Sequence, residues 1–243
     1  MDNDTQEWLR WTLVTSIPLR RLDAQGLPIG LACGCLIDYF GRRFLLSVQH
    51  AVTKYSKDWV ALLGYDDTKQ MQYFRPNSFN FVGEMTRGAS SIRDIDFCYT
   101  EVGTDIQPVY QYATPRAGII DEKPCHVFAS DLTSLPSPEE IYAFSGHVKP
   151  SMHGEEALVT EIHVYPGLRY THSESEYHIF RLPIPHPGHE QFRGCSGAPI
   201  VDRKGNVVAL VCDGDDSTNT IRGVSLARYK FAFDFLTGRL GGQ

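Results

Sequence analysis

The sequence predicts an all-β protein with a single helix near its C-terminus. Short apolar runs with alternate-residue patterning recur along the chain, and clusters of Gly, Pro, Asn and Asp separate them. Spacings of three and four, which are typical of a helix, are convincing only near the end. With 243 residues, 42% of them hydrophobic, the chain can bury one large or two small cores.

The predicted strands are the apolar runs themselves. They are "PIGLACGCLIDYF", "RFLLSVQHAV", "WVALLGY", "IDFCYTEV", "PCHVFAS", "EIYAFSGHV", "EALVTEIHVY", "EYHIFRL" and "NVVALVCDG". The segments "DYFGRRF" and "VDRKGNVV" each carry the turn glycine expected between two antiparallel strands. Antiparallel hairpins are therefore predicted in both halves, and the chain is expected to divide near residues 105 to 120.

The predicted helix covers residues 226–238. Leu226, Tyr229, Phe233 and Leu236 stand three or four residues apart, and a glycine follows them. These four side chains would form one buried face of the helix.

Charge and composition exclude several functional classes. The 23 basic and 29 acidic residues leave a formal charge of −6, which repels phosphate backbones and anionic lipid, so neither nucleic acid nor a membrane is an expected partner. The N-terminal stretch is acidic and interrupted by Arg10, unlike a secretory signal. We therefore expect a soluble, cytoplasmic protein whose six cysteines are free thiols.

The segment "FRGCSGAPIVD", residues 192–202, places two flexible glycines, one on either side, around one serine hydroxyl. A serine attacks a carbonyl only if a base takes its proton and donors stabilise the resulting oxyanion. The backbone N–H groups of Gly194 and Ser196 could supply those donors. The alternative is a tight turn that leads into a strand, because Gly, Ser and Pro are common turn residues.

A base and an orienting acid are also present. His50 ends the apolar strand "RFLLSVQHAV". Asp94 and Asp96 begin another apolar strand, and they would face the same side of it because they are two residues apart. Strand periodicity therefore does not choose between the two carboxylates.

The segments "LLSVQHAV", "DIDFCYTEV" and "GCSGAPIVD", in this order, resemble the trypsin-like (chymotrypsin-fold) serine protease family, in particular its bacterial and intracellular members. The family's order of histidine, aspartate and serine distinguishes it from other triad folds. The resemblance covers most of the chain. It implies one peptidase domain over residues 1–243, made of two antiparallel six-stranded β-barrels at 9–110 and 118–225 and followed by the helix.

The resemblance also implies an activity and its residues. The protein would be a serine endopeptidase that hydrolyses protein or peptide substrates without a metal or cofactor. The family pattern of aspartate, apolar, small, apolar favours Asp96 over Asp94. The implied site comprises the triad His50, Asp96 and Ser196, the oxyanion-hole amides of Gly194 and Ser196, and the substrate-binding residues Cys212, Asp213 and Gly214.

Two neighbours of the serine raise further questions. Cys195 is a rival nucleophile, since some members of this fold use cysteine, but the register of the motif favours Ser196. Cys195 also replaces the aspartate that pairs with the new N-terminus in zymogen activation, so control by a regulatory protein partner is the hypothesis here. Glu190, six residues before the serine, would place an acid in the substrate pocket and favour Arg or Lys; the alternative is a solvated loop.

A different class of function stays open. Folds of this kind can become catalytically silent domains that bind extended peptides.

The spacing of His186 and His189 resembles that of metal ligands, but no further ligand pair has convincing spacing, and a polar loop is the preferred interpretation.

Overall fold

The computed structural model describes residues 2–52, 57–66, 70–85, 88, 91–113, 120–153 and 157–239. It contains sixteen strands and four α-helices. The helices are α1 (Asn3–Leu13), α2 (Gln49–Val52), α3 (His189–Phe192) and α4 (Lys230–Leu236). The strands are β1 (Ile17–Leu22), β2 (Pro28–Tyr39), β3 (Arg42–Ser47), β4 (Trp59–Tyr65), β5 (Met71–Phe74), β6 (Asn80–Glu84), β7 (Arg93–Val102), β8 (Val109–Ala113), β9 (Ile120–Pro124), β10 (Val127–Ala129), β11 (Tyr142–His153), β12 (Ala157–Glu174), β13 (Tyr177–Arg181), β14 (Pro199–Asp202), β15 (Val207–Asp215) and β16 (Thr220–Ser225).

The second half of the chain forms the six-stranded barrel that the sequence predicts. Its strands run in the closed order β11-β12-β13-β16-β15-β14, with antiparallel pairing throughout. Its interior is filled by buried apolar side chains such as Phe144, Phe180 and Ile200. Closure gives each of these six strands a partner on both sides over part of its length.

The prediction of a closed first barrel is wrong. The first half forms an eight-stranded sheet in the order β5-β4-β1-β2-β3-β7-β6, and β10 pairs with β2 outside this path. In the described part of the chain, β5 and β6 do not pair with each other. Both end strands are short and largely solvent-accessible, and a bulge interrupts the pairing of each with its neighbour. The end strands β5 and β6 could therefore form few backbone hydrogen bonds with each other to close the sheet.

The connection between the halves has its own structure. Strands β8 and β9 form a separate two-stranded sheet, and β10 pairs in parallel with β2 of the first sheet. The predicted boundary between residues 110 and 118 falls mainly on 114–119, which lie outside the described residues. The division of the chain at that point stays a proposal.

An N-terminal helix, α1, was not expected from the sequence. Asp2 caps it by accepting a hydrogen bond from the Thr5 N–H at 2.6 Å. Trp8 and Thr12 lie four residues apart on its buried face, and the Trp8 ring N–H donates to the Asp202 carbonyl at 2.9 Å. The capping residue Asp2 and the spacing of Trp8 and Thr12 were the sequence signals for this helix. The polar residues between these positions obscure its apolar face in the sequence.

The predicted C-terminal helix is confirmed. A 3₁₀ turn, Ala227–Tyr229, precedes α4, and the predicted face is turned inward. Phe233 is fully buried, with its ring centroid 5.1 Å from that of Phe44 in the first sheet. The Tyr39 hydroxyl donates to Asp234 at 2.7 Å. Helix α4 thus packs on the first sheet, although it follows the second barrel in the chain.

The six cysteines, all of them described, are buried free thiols, as expected. Among the described residues, no helix is long and apolar enough to span a membrane.

We predict that Phe233→Ala lowers the free energy of unfolding by about 3 to 5 kcal/mol, because the substitution removes a buried aromatic ring and leaves a cavity. Phe231→Ala on the same helix is the matched control, since Phe231 is 69% exposed, and it should change stability by less than about 0.5 kcal/mol. Urea unfolding measures both values. Equal losses for the two variants would contradict the packing of α4.

Candidate active site

His50 lies where the first sheet meets the barrel. The buried strand β3 ends at Ser47, and the single helical turn α2 carries His50 out of the core while Val52 stays buried. This change from strand to helix leaves the imidazole half exposed in a cleft. The cleft is lined by Gln49, His50, Asp94, Asp96, Tyr177, Cys212 and Asp213.

Asp96 holds His50 through two hydrogen bonds. One carboxylate oxygen accepts the His50 backbone N–H at 2.8 Å, and the other lies 2.8 Å from the ring Nδ1. An ionised carboxylate only accepts hydrogen bonds, so Nδ1 carries the proton and Nε2 is left as an acceptor. Asp94 lies in the same cleft but makes no such bond to His50.

The two groups shift each other's pKa. Burial alone would lower the pKa of His50, but the hydrogen bond and charge of Asp96, with the charge of Asp213, outweigh it and raise the pKa above 6.5. Burial alone would raise the pKa of Asp96, but its bonds to His50 and to the Cys212 thiol lower it. Asp96 is therefore ionised near neutral pH.

Ser196 completes a chain of hydrogen bonds. Its Oγ lies 3.0 Å from His50 Nε2, and the serine hydroxyl can donate to this nitrogen. The Ser196 carbonyl accepts the Cys33 N–H at 2.8 Å, and the Cys33 carbonyl accepts the Ser47 hydroxyl at 2.7 Å. These bonds attach the serine loop of the barrel to β2 and β3 of the first sheet.

The backbone before Ser196 forms a type II turn. Arg193 has φ −58° and ψ 117°, Gly194 has φ +103°, and the Cys195 N–H donates to the Phe192 carbonyl at 2.9 Å. A side chain at Gly194 would be strained by this φ, and its Cβ would lie 2.1 Å from the His147 carbonyl oxygen. Glycine is therefore required at this position.

The turn leaves two amides available. Within the described residues, the N–H groups of Gly194 and Ser196 donate to no protein acceptor, whereas those of Cys195 and Gly197 are bonded to Phe192 and Val211. Unpaired amides beside a nucleophile are the donors that an oxyanion requires.

Cys195 points away from the cleft. It is fully buried, and its Sγ packs so closely on Gly146 that a Cβ there would lie 2.3 Å from the sulfur. Burial, with a smaller effect from Cys33, raises the pKa of the Cys195 thiol well above its usual value. The thiolate, which is the nucleophilic form of cysteine, is therefore disfavoured.

The predicted substrate-binding residues take different positions. The three residues Cys212, Asp213 and Gly214 lie on β15. Here, next to the serine loop, one edge of β15 is no longer paired with a described strand. The Cys212 thiol lies beside Asp96, and burial and that charge raise its pKa well above the usual value. Asp213 accepts a hydrogen bond from Arg222 at 2.6 Å, and its charge is paired.

Glu190 lies away from the other predicted residues. Its side chain is 86% exposed on α3, and a carboxylate oxygen is 3.8 Å from a guanidinium nitrogen of Arg193. His186 and His189 have neighbouring rings, but no group of three or more metal-ligating side chains is found in the described ranges.

Sequence reasoning missed two residues at the site, Ser47, which fixes the Cys33 carbonyl, and Tyr177, which lines the cleft. It singled out His186 only for its spacing from His189 and missed its contact with Gly214. Each contact joins segments far apart in the chain, so no local pattern signals it.

Comparisons with known proteins agree with this architecture. No family model matches the sequence, and no curated protein does. Among solved structures, human heparin binding protein is 13% identical, with 96% of this chain and 94% of that chain covered and a TM-score of 0.58. A serine endoprotease from Yersinia pestis is 10% identical, with 97% and 67% covered and a TM-score of 0.54. HL collagenase is 11% identical, with 94% and 95% covered and a TM-score of 0.52.

These similarities define the fold. The chain has the chymotrypsin-like fold of the serine proteases, with one of its two large β-sheets closed into a barrel. At these identities the similarity shows the fold alone.

We predict that the ring of His50 titrates above pH 6.5 and that Asp96→Asn lowers its midpoint, because burial is then unopposed by the carboxylate charge. Two-dimensional NMR of the histidine ring protons measures the midpoint. Asp94→Asn, two residues away on the same strand, is the matched control and should shift the midpoint less. Equal shifts in the two variants would contradict the specific pairing with Asp96.

Proposed function

We propose that the protein is a serine endopeptidase that hydrolyses peptide bonds through His50, Asp96 and Ser196. The observation that carries this proposal is the continuous hydrogen-bond chain, in which His50 bonds to Asp96 through Nδ1 and lies 3.0 Å from Ser196 Oγ through Nε2. This arrangement leaves the ring nitrogen nearest to the hydroxyl free to accept its proton.

The chemistry follows from these atoms. As Ser196 Oγ forms a bond to the substrate carbonyl carbon, its proton passes to His50 Nε2, and Asp96 stabilises the resulting imidazolium. His50 then gives this proton to the leaving amine as the carbon–nitrogen bond breaks, which leaves an acyl ester on Ser196. Water, deprotonated by His50, attacks the ester, and the proton returns to Ser196 Oγ.

We assign the oxyanion donors to the N–H groups of Gly194 and Ser196. The negative charge develops on the substrate carbonyl oxygen, and neutral amides held by a rigid turn stabilise it without reorganisation. The type II turn supports this assignment, since it requires glycine and leaves both amides without protein acceptors in the described residues.

An extended substrate would bind along β15. Residues Asp213, Gly214 and Asp215 pair with β16 on one side, and no described strand pairs with their other edge. A peptide in extended conformation could add to this edge through main-chain hydrogen bonds. The edge begins next to Ser196, because the Gly197 N–H donates to the Val211 carbonyl at 2.8 Å and so holds the serine loop against β15.

The second candidate is a catalytically silent domain that binds extended peptides. The free edge of β15 would serve this function equally well, and one of the similar structures is named for binding heparin and not for cleavage. The His50–Asp96–Ser196 chain favours the enzyme, because peptide binding alone does not need it. Control by a regulatory protein partner and a cytoplasmic location remain predictions from the sequence.

We predict that wild-type protein cleaves unfolded protein substrates and that Ser196→Ala or His50→Ala lowers kcat/KM by about 10³-fold or more. Asp96→Asn should lower kcat by about 10⁴-fold, because the imidazole then adopts the wrong tautomer. Release of fluorescent fragments from labelled, denatured protein measures the rates. Activity should rise with pH through the raised pKa of His50, since only the neutral ring accepts a proton.

Cys195→Ala and Asp94→Asn are the controls, and each should retain most of the activity. Loss of activity in Cys195→Ala with retention in Ser196→Ala would assign the nucleophile to cysteine. Wild-type protein that binds an extended peptide in a fluorescence anisotropy titration but never cleaves it would support the silent binding domain.

A further inference from the structure

The space for the substrate side chain before the cleaved bond would lie between two segments next to Ser196. This inference rests on the proposed function. That side chain leaves the carbon beside the attacked carbonyl, so it must lie close to Ser196. On one side stands the segment from His186 to Phe192, and on the other stands β15 beyond Cys212, which hydrogen bonds at Val211 tie to the serine loop.

The ring of His186 lies in this space against Gly214. A Cβ placed on Gly214 would be 2.4 Å from His186 Nε2 and 3.0 Å from the Ile221 side chain. Only a residue without a side chain therefore lets the imidazole approach β15 so closely. The Phe192 ring packs on the other side of the imidazole, with centroids 4.7 Å apart.

The hydrogen bonds of His186 define its tautomer. The Gly188 N–H donates to Nδ1 at 3.0 Å, so Nδ1 is the acceptor and the proton of the neutral ring is on Nε2. Nε2 is shielded from solvent, and no acceptor for it exists among the described residues. A buried donor without a partner is unfavourable until an acceptor arrives.

The ring is neutral near pH 7. Burial, together with the neighbouring His189, lowers the pKa of His186, although Asp215 and Asp216 act in the opposite direction. His186 therefore offers a neutral N–H donor, which suits an oxygen acceptor on the substrate.

We propose that His186 is a specificity-determining residue and that it selects substrates whose side chain before the cleaved bond ends in a carbonyl oxygen. Glutamine and glutamate share this chemistry, and the acceptor oxygen of either would pair with the Nε2–H next to Gly214. The two acids that the resemblance implies at the substrate site are engaged elsewhere, since Asp213 is bonded to Arg222 and Glu190 is exposed beside Arg193.

The test is a set of fluorogenic peptides that differ only in the residue before the cleaved bond. Glutamine is compared with methionine, which has a similar length but no acceptor, and with glutamate, arginine and lysine. We expect kcat/KM for glutamine to exceed that for methionine, arginine and lysine by about tenfold or more, as a single hydrogen bond to a buried donor allows. The glutamate peptide shows whether the acceptor is preferred as an amide or as a carboxylate.

His186→Phe keeps an aromatic ring of similar size but removes the donor. It should reduce the glutamine-to-methionine ratio to about one, and a thermal unfolding midpoint close to that of the wild type shows that the variant folds. His186→Gln restores a donor and should restore part of the ratio. His189→Phe, three residues away on the exposed surface, is the matched control and should keep the wild-type ratio.

The outcomes separate the two proposals. Cleavage that requires Ser196 but prefers arginine, lysine or methionine would overturn the role of His186 and leave the proposed function standing. A preference for glutamine that survives in His186→Phe would also overturn it. Absence of any cleavage that Ser196→Ala abolishes would overturn both.

Discussion

The site depends on the attachment of the two halves of the molecule next to Ser196, where the Cys33 N–H donates to the Ser196 carbonyl at 2.8 Å. His50 and Asp96 come from the first sheet and Ser196 from the barrel, so their alignment requires the halves to be held in register. The two terminal helices reinforce this attachment, because each packs on the half of the molecule that is formed by the other end of the chain. Helix α1 begins the chain yet packs on the barrel, and α4 ends it yet packs on the first sheet through Phe233.

Two carboxylates raise the pKa of His50, and Asp96, which bonds to the ring directly, has the larger effect. Asp96 is partly buried, and its burial is offset by the bonds to His50 and by the Cys212 thiol. The nearby Asp213 is paired with Arg222. Cys195 next to the serine and Cys212 beside Asp96 are buried and protonated, so they act as packing groups beside a serine hydroxyl.

Local sequence patterns predicted the structural features that are determined by interactions between residues close in the chain. Alternating apolar residues predicted nine of the sixteen strands in the described residues, a spacing of three and four predicted α4, and the glycines around Ser196 indicated a turn that frees backbone donors. Periodicity could not separate Asp94 from Asp96, since both face the cleft; the distinction comes from the contact with His50 across 46 residues. Closure of the first sheet depends on two distant edge strands, β5 and β6, and the contact of His186 with Gly214 joins separate loops. Neither the sheet closure nor this contact produces a pattern among residues that are adjacent in the sequence.

The central claim is that Ser196 is an activated nucleophile, and covalent labelling tests it most directly. The protein would be incubated with a fluorophosphonate probe, digested, and the modified residue located by mass spectrometry. The account predicts one adduct, on Ser196, which is lost in His50→Ala and retained in Cys195→Ala. An unmodified Ser196 in folded wild-type protein, or labelling that is independent of His50, would contradict it.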